Sequence, residues 1–232
     1  MTVAQDGTVG NLSEVELFSR SWSALHAAVM ALPAAAFDQP SGCAGWLVRD
    51  LVCHLVIDAQ DVLITLATPA EGEPTANAST YWRPEVAPVA SDPLDALIRR
   101  LAAAYEDPGL LTFHLDDVGS AAGRAARLAD PNLVVGTKDL TLTVRDYLHA
   151  YVFEWTVHHL DLATRLADVP PPPIETLRAA RNLLESIAGV KFPSVMSDED
   201  ALLVGTGRRA PTGGERELLG LALLAAVPYT LS

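Results

Sequence analysis

The stretch LVRDLVCHLVIDAQDVLITLA, residues 47–67, sets Leu47, Leu51, Leu55, Asp58 and Val62 at helical spacing, which predicts a helix with one face turned to a core. His54 falls on that inward stripe. Upstream, Ser13-Glu14-Val15-Glu16 has the form of a capping box and opens a second periodic run through Leu17, Trp22, Leu25, Val29 and Leu32. Downstream, Thr143 can cap a long helix running through Leu148, Tyr151, Trp155, Leu162 and Leu166. Pro170–Pro173 stop it, and residues 174–188 read as a further amphipathic helix. Between these, residues 68–92 are proline-rich and read as a long irregular loop. A third helix is expected over 92–106, and a shorter helical piece over 118–128. No alternating run is strong enough to predict a sheet. The expected architecture is a mainly all-α antiparallel four-helix bundle over residues 12–190, with a helical or irregular C-terminal extension, 191–232, packed on it.

The chain has 232 residues, half of them hydrophobic, enough to bury a core of one substantial domain. Sixteen Lys and Arg stand against 29 Asp and Glu, a formal charge of −13 that repels phosphate backbones and argues against a nucleic-acid partner. The longest apolar run, 218–228, is too short to span a bilayer, and residues 1–11 lack the apolar stretch of a signal peptide. The two cysteines, Cys43 and Cys53, form no disulfide framework. A cytoplasmic location is the expectation. Only two lysines occur beside abundant Arg, Ala and Pro, the signature of a GC-rich bacterial genome.

Three polar residues sit where such a bundle is dry. Glu154 and His158 are four residues apart and share one face of the long helix, about one turn from each other. With His54 on a facing helix they form the kind of constellation from which bundles build metal sites. Two imidazoles and one carboxylate leave coordination positions open, as in a catalytic zinc site; Ni, Co and Fe(II) suit the same donors. Read singly, each has an ordinary explanation: a hydrogen-bonded core histidine, or an i,i+4 surface pair. His159 lies about 100° further round and reads as a packing or surface residue. Asp58 and Asp161, one turn from His54 and His158, are either outer acceptors for the imidazole N–H groups or solvated helix residues. Cys53 reads as a small buried hydrophobe. No Ser/His/Asp arrangement, phosphate loop or dinucleotide fingerprint is present.

The segment CAGWLVRDLVCHL, residues 43–55, and the segment EWTVHHLDL, residues 154–162, together resemble the two motifs of the mycothiol-dependent maleylpyruvate isomerase family, one branch of the DinB-like metal-binding four-helix bundles. Leu47 departs from the family pattern, which has a small hydroxyl residue there. The resemblance spans roughly residues 12–190. It implies a divalent metal, zinc by expectation, held by His54, Glu154 and His158, and mycothiol as cosubstrate, in keeping with an actinobacterial codon signature. The implied activity is a thiol transferase or cis–trans isomerase that holds mycothiol as a metal-bound thiolate for attack on an electrophilic small molecule. Asp58, Asp161, Tyr147 and Tyr151 are then candidates for the catalytic surroundings, and Trp82, Arg83 and Arg208 for thiol or substrate contacts. Two other classes remain open: a hydrolase using metal-bound hydroxide without a thiol, and a non-catalytic metal- or ligand-binding bundle. Dimerisation through apolar helix faces is also open.

Overall fold

A computed structural model of the chain describes residues 12–82, 84–85, 93–226 and 230–231, with the backbone alone for 84–85, 221–226 and 230–231. Helix α1 (Glu14–Met30) opens with the expected capping box: Ser13 Oγ accepts the Glu16 N–H at 3.3 Å and Glu16 returns to the Ser13 N–H at 2.8 Å. Helix α2 (Val48–Leu66) follows a residue with no capping oxygen, Leu47, and Asp50 compensates by accepting the Leu47 N–H at 2.9 Å. A one-turn helix, α3 (Ala78–Tyr81), capped by Asn77, lies inside the stretch that the sequence reads as irregular. Strand β1 (Pro84–Glu85) and helix α4 (Pro93–Ala104) follow.

Helix α5 (Pro108–Leu128) is about twice the expected length. Asp107 caps it, with its carboxylate accepting the Gly109 N–H at 2.8 Å and Pro108 in the first turn. An antiparallel hairpin of β2 (Val134–Thr137) and β3 (Leu140–Thr143) then feeds straight into α6 (Val144–Ala163), whose N-cap is Thr143, as expected. Helices α7 (Ile174–Ala188), α8 (Asp198–Gly205) and α9 (Gly213–Ala226) and strand β4 (Thr230–Leu231), paired with β1, complete the described residues.

Four helices form the bundle. Helix α1 packs along α6 and α5, α2 packs along α5, and α2 meets α6 over a short stretch only. The middle of the bundle is aromatic: the Trp155 ring centroid lies 4.4 Å from that of Phe18 and 4.5 Å from that of Trp22. Gly119 on α5 makes room for them, because a Cβ there would lie 1.8 Å from the Trp22 ring. Fifteen of the twenty residues of α6 are buried, since α1, α7 and α8 cover it in addition to α2. A helix enclosed on all sides has no solvated face to hold polar residues. Those that α6 carries need partners inside the protein.

Candidate metal centre

Those partners lie on the short α2–α6 seam. His158 Nε2 is 2.9 Å from Glu154 Oε1, and His54 Nε2 is 3.3 Å from the same oxygen. Asp58 Oδ2 approaches His54 Nε2 to 3.3 Å, yet it is buried and has no hydrogen-bond partner among the described residues. One donor atom each from His54, Asp58, Glu154 and His158 lies within 4.8 Å of all the others. An unsatisfied buried acceptor costs about 1–3 kcal/mol. Two imidazoles and two carboxylates around a common point fit a divalent cation, which would give that oxygen a partner.

The electrostatics of the cation-free chain agree. Burial alone raises Glu154, but His158 and His54 outweigh it and hold the carboxyl well below its ordinary value. Burial works equally against a charged His158, and there Glu154, then Cys43 and Asp161, raise the imidazole well above its ordinary value. Asp58 is pushed up to about 6 by burial, with His54 opposing and Glu154 adding to the rise.

Beyond the cluster, His158 Nδ1 is 2.9 Å from Asp161 Oδ2. Asp161 is in turn clasped by Arg208, which donates from Nε at 2.7 Å and from Nη2 at 2.8 Å. Burial works against ionised Asp161, and Arg208 and His158 overcome it, holding the carboxyl well below its usual range. Asp58 faces Nε2 of His54, the nitrogen that also faces Glu154, while His54 Nδ1 is buried with no partner among the described residues.

A cleft of about 850 Å³ opens onto the Glu154 and His158 side of this cluster. Its walls include Gly42, Cys43, Trp46, Arg165 and Arg208. The 40–47 loop lies against α6 because residue 42 is glycine: its N–H donates to the Asp161 carbonyl at 2.8 Å, and a Cβ would fall 2.6 Å from the Asp161 Cα. That approach brings the Cys43 thiol to 3.1 Å from Asp161 Oδ2, to which it donates, and to 3.7 Å from His158 Nδ1. Cys43 is the site residue that sequence reasoning quoted but assigned no role. Only the Gly-rich character of the loop hinted at such a close approach.

The remaining candidates are spread out. Tyr151 is buried beside Tyr81 and Tyr147, behind the cluster and away from the cleft walls. Desolvation holds all three phenols above their ordinary range. Trp82 is buried, its indole N–H donating to the Ala150 carbonyl at 3.2 Å, and it does not line the cleft. Arg83 lies outside the described residues. His159 packs inside with Nε2 2.9 Å from the Pro170 carbonyl, and Cys53 is a buried thiol that burial pushes up to about 11.

An α-helical bundle of this kind has known counterparts. Residues 18–163 match the family model described as the mycothiol maleylpyruvate isomerase N-terminal domain, and the chain belongs to that family. Its fold is the DinB-like bundle also seen in the crystal structure of the mycothiol-dependent maleylpyruvate isomerase (TM-score 0.52, 16% identity, covering 74% of this chain and 66% of that one). The crystal structure of a histidine-to-alanine mutant of the mycothiol-dependent maleylpyruvate isomerase is similar as well (TM-score 0.51, 18% identity, 79% and 71% covered). The chain thus spans about two thirds of the length of these structures. No curated protein shows significant similarity to it. Among the described residues no helix is long and apolar enough to cross a membrane.

Proposed function

We propose that the chain is a metal-dependent thiol transferase or isomerase that uses mycothiol against an electrophilic small molecule. The observation that carries this reading is the convergence of His54, Glu154 and His158 beside an open cleft that Glu154 and His158 line, in a chain of the mycothiol maleylpyruvate isomerase family. A divalent cation bound there, zinc by the family resemblance, would supply positive charge that keeps a thiol deprotonated at neutral pH.

The protein's own residues do the rest. Asp161 accepts from His158 Nδ1 and so turns Nε2 toward the cluster. Arg208 fixes Asp161 through two charge-assisted bonds. The α2–α6 seam is largely buried, and the cleft gives the thiol and its electrophile access to its Glu154 and His158 side. The division of labour that follows is a bundle over residues 12–190 carrying the metal ligands and an extension over 191–232 supplying Arg208. The setting of the chemistry is a reducing cytoplasm.

The test is thiol consumption against a panel of electrophiles, with and without mycothiol. Turnover that requires both mycothiol and a divalent ion is expected. Turnover that needs the ion but not the thiol would make the protein a hydrolase. Glu154→Gln is expected to weaken cation affinity at least about tenfold and to lose activity with it. Full cation occupancy with turnover down by about 10²–10⁴-fold would instead make Glu154 a general base.

A further inference from the structure

Asp58 is the one member of the seam that a three-residue cation site leaves unexplained. It lies one turn after His54 on α2, as His158 lies one turn after Glu154 on α6, so each helix presents an i,i+4 pair of one imidazole and one carboxylate. The two pairs face each other with the His54 and His158 rings 4.9 Å apart and nearly perpendicular. Asp58 is 7% exposed, its Oδ2 lies 3.3 Å from His54 Nε2 but has no hydrogen-bond partner among the described residues, and one of its carboxylate oxygens falls inside the set of mutually close donor atoms. Glu154 and His158 line the cleft; His54 and Asp58 do not.

We propose that Asp58 is a fourth ligand of the cation, bound on the side of the seam away from the cleft lining, which would leave the side toward the cleft open to an incoming thiol. Charge supports the assignment: two carboxylates offset a divalent ion, whereas three donors leave the Asp58 carboxylate buried beside the ion without contact. Placement supports it too. A carboxylate on that side is not in the path of a ligand entering past Cys43 and Trp46. The inference rests on a cation occupying the His54, Glu154 and His158 cluster, so the experiment begins with that occupancy.

The wild-type chain is loaded with zinc and crystallised, and Asp58→Asn and Asp58→Ala are titrated with zinc and with cobalt(II). An Asp58 oxygen within about 2.2 Å of zinc is expected. Expected too are a cobalt(II) visible spectrum that changes in Asp58→Ala and a loss of zinc affinity of at least about tenfold. A loaded wild-type chain in which no Asp58 oxygen reaches that distance overturns the proposal and leaves the site reading intact. So does an Asp58→Ala variant that binds more weakly with an unchanged cobalt spectrum, the behaviour of an outer carboxylate. Wild-type protein that takes up no divalent ion refutes both. If Asp58→Ala fails to fold, the near-isosteric Asp58→Asn and the wild-type crystal decide.

Discussion

Two buried polar clusters in this molecule have opposite character. Under the C-terminal helices, Arg181 on α7 donates from Nε to Glu185 at 3.0 Å, from Nη1 to the Met196 carbonyl and Asp198, and from Nη2 to the Phe192 and Pro193 carbonyls. Glu185 accepts in addition from the Phe192 N–H and pairs with Lys191. All three guanidinium nitrogens of Arg181 are engaged. The α2–α6 seam has the reverse: donor atoms converge, a carboxylate oxygen and an imidazole nitrogen have no hydrogen-bond partner among the described residues, and a cleft reaches Glu154 and His158. A saturated network ties chain segments together; a convergent and unsaturated one has room for something else. Buried charge alone does not mark a functional site, and its satisfaction tells the two kinds apart.

The comparison breaks most sharply at His158. His158→Ala is expected to abolish cation binding, while His159→Ala, whose ring meets the Pro170 carbonyl on another face of the helix, keeps it. Metal analysis of the two purified variants checks this, and equal loss in both would mean the wrong face of α6 has been assigned. The Arg181 cluster should fail differently. Arg181→Met leaves Glu185 with Lys191 as its remaining cation and takes the Arg181 donor from the Met196 and Phe192 carbonyls, so a loss of about 3 kcal/mol in urea unfolding is expected. Cation stoichiometry per folded molecule should not move. A variant that kept its stability but lost the cation would erase the distinction between the two clusters.

Sequence showed the seam and hid its surroundings, for physical reasons. His54, Glu154 and His158 are legible because their relationships are local, an i,i+4 pair and a stripe on one helix. The role of Asp58 is not, because which imidazole nitrogen it meets depends on how the His54 ring is turned. Arg208 lies 47 residues from Asp161, and no local pattern reports such a pair. The hairpin Val134–Thr143 escaped for another reason. Its turn residues, Lys138 and Asp139, both adopt positive φ, 48° and 61°, in a two-residue loop where Asn-Gly or Gly is the usual signal. The early start of α5 was written in Asp107-Pro108, a cap followed by proline at the first helical position, which the apolar pattern alone does not show. Trp82 looked like a loop aromatic free to touch a ligand. The short helix α3 turns that loop back onto the bundle and buries it.

A third polar cluster, at the surface, sharpens the contrast by having little at stake. Between α8 and α9, Arg209 donates to Glu215 at 2.7 and 2.8 Å and to Asp200 at 2.7 Å. The Arg209 bond, followed by the Thr212 N–H, lowers the Glu215 carboxyl to about 2 from an ordinary 4.5. A carboxyl lowered on folding contributes stability that is fully present above its ordinary value and is lost as pH falls toward the folded one. Being solvated, the pair contributes little in absolute terms. In the cation-free protein, Glu215→Gln should lower the urea midpoint slightly at pH 6, and the gap from wild type should narrow by about half at pH 3. Cation-free protein is the right sample, since acid would otherwise displace a bound ion and move the midpoint through the seam. An equal gap at both pH values would show that the Glu215 charge contributes nothing and that its side chain matters only as packing.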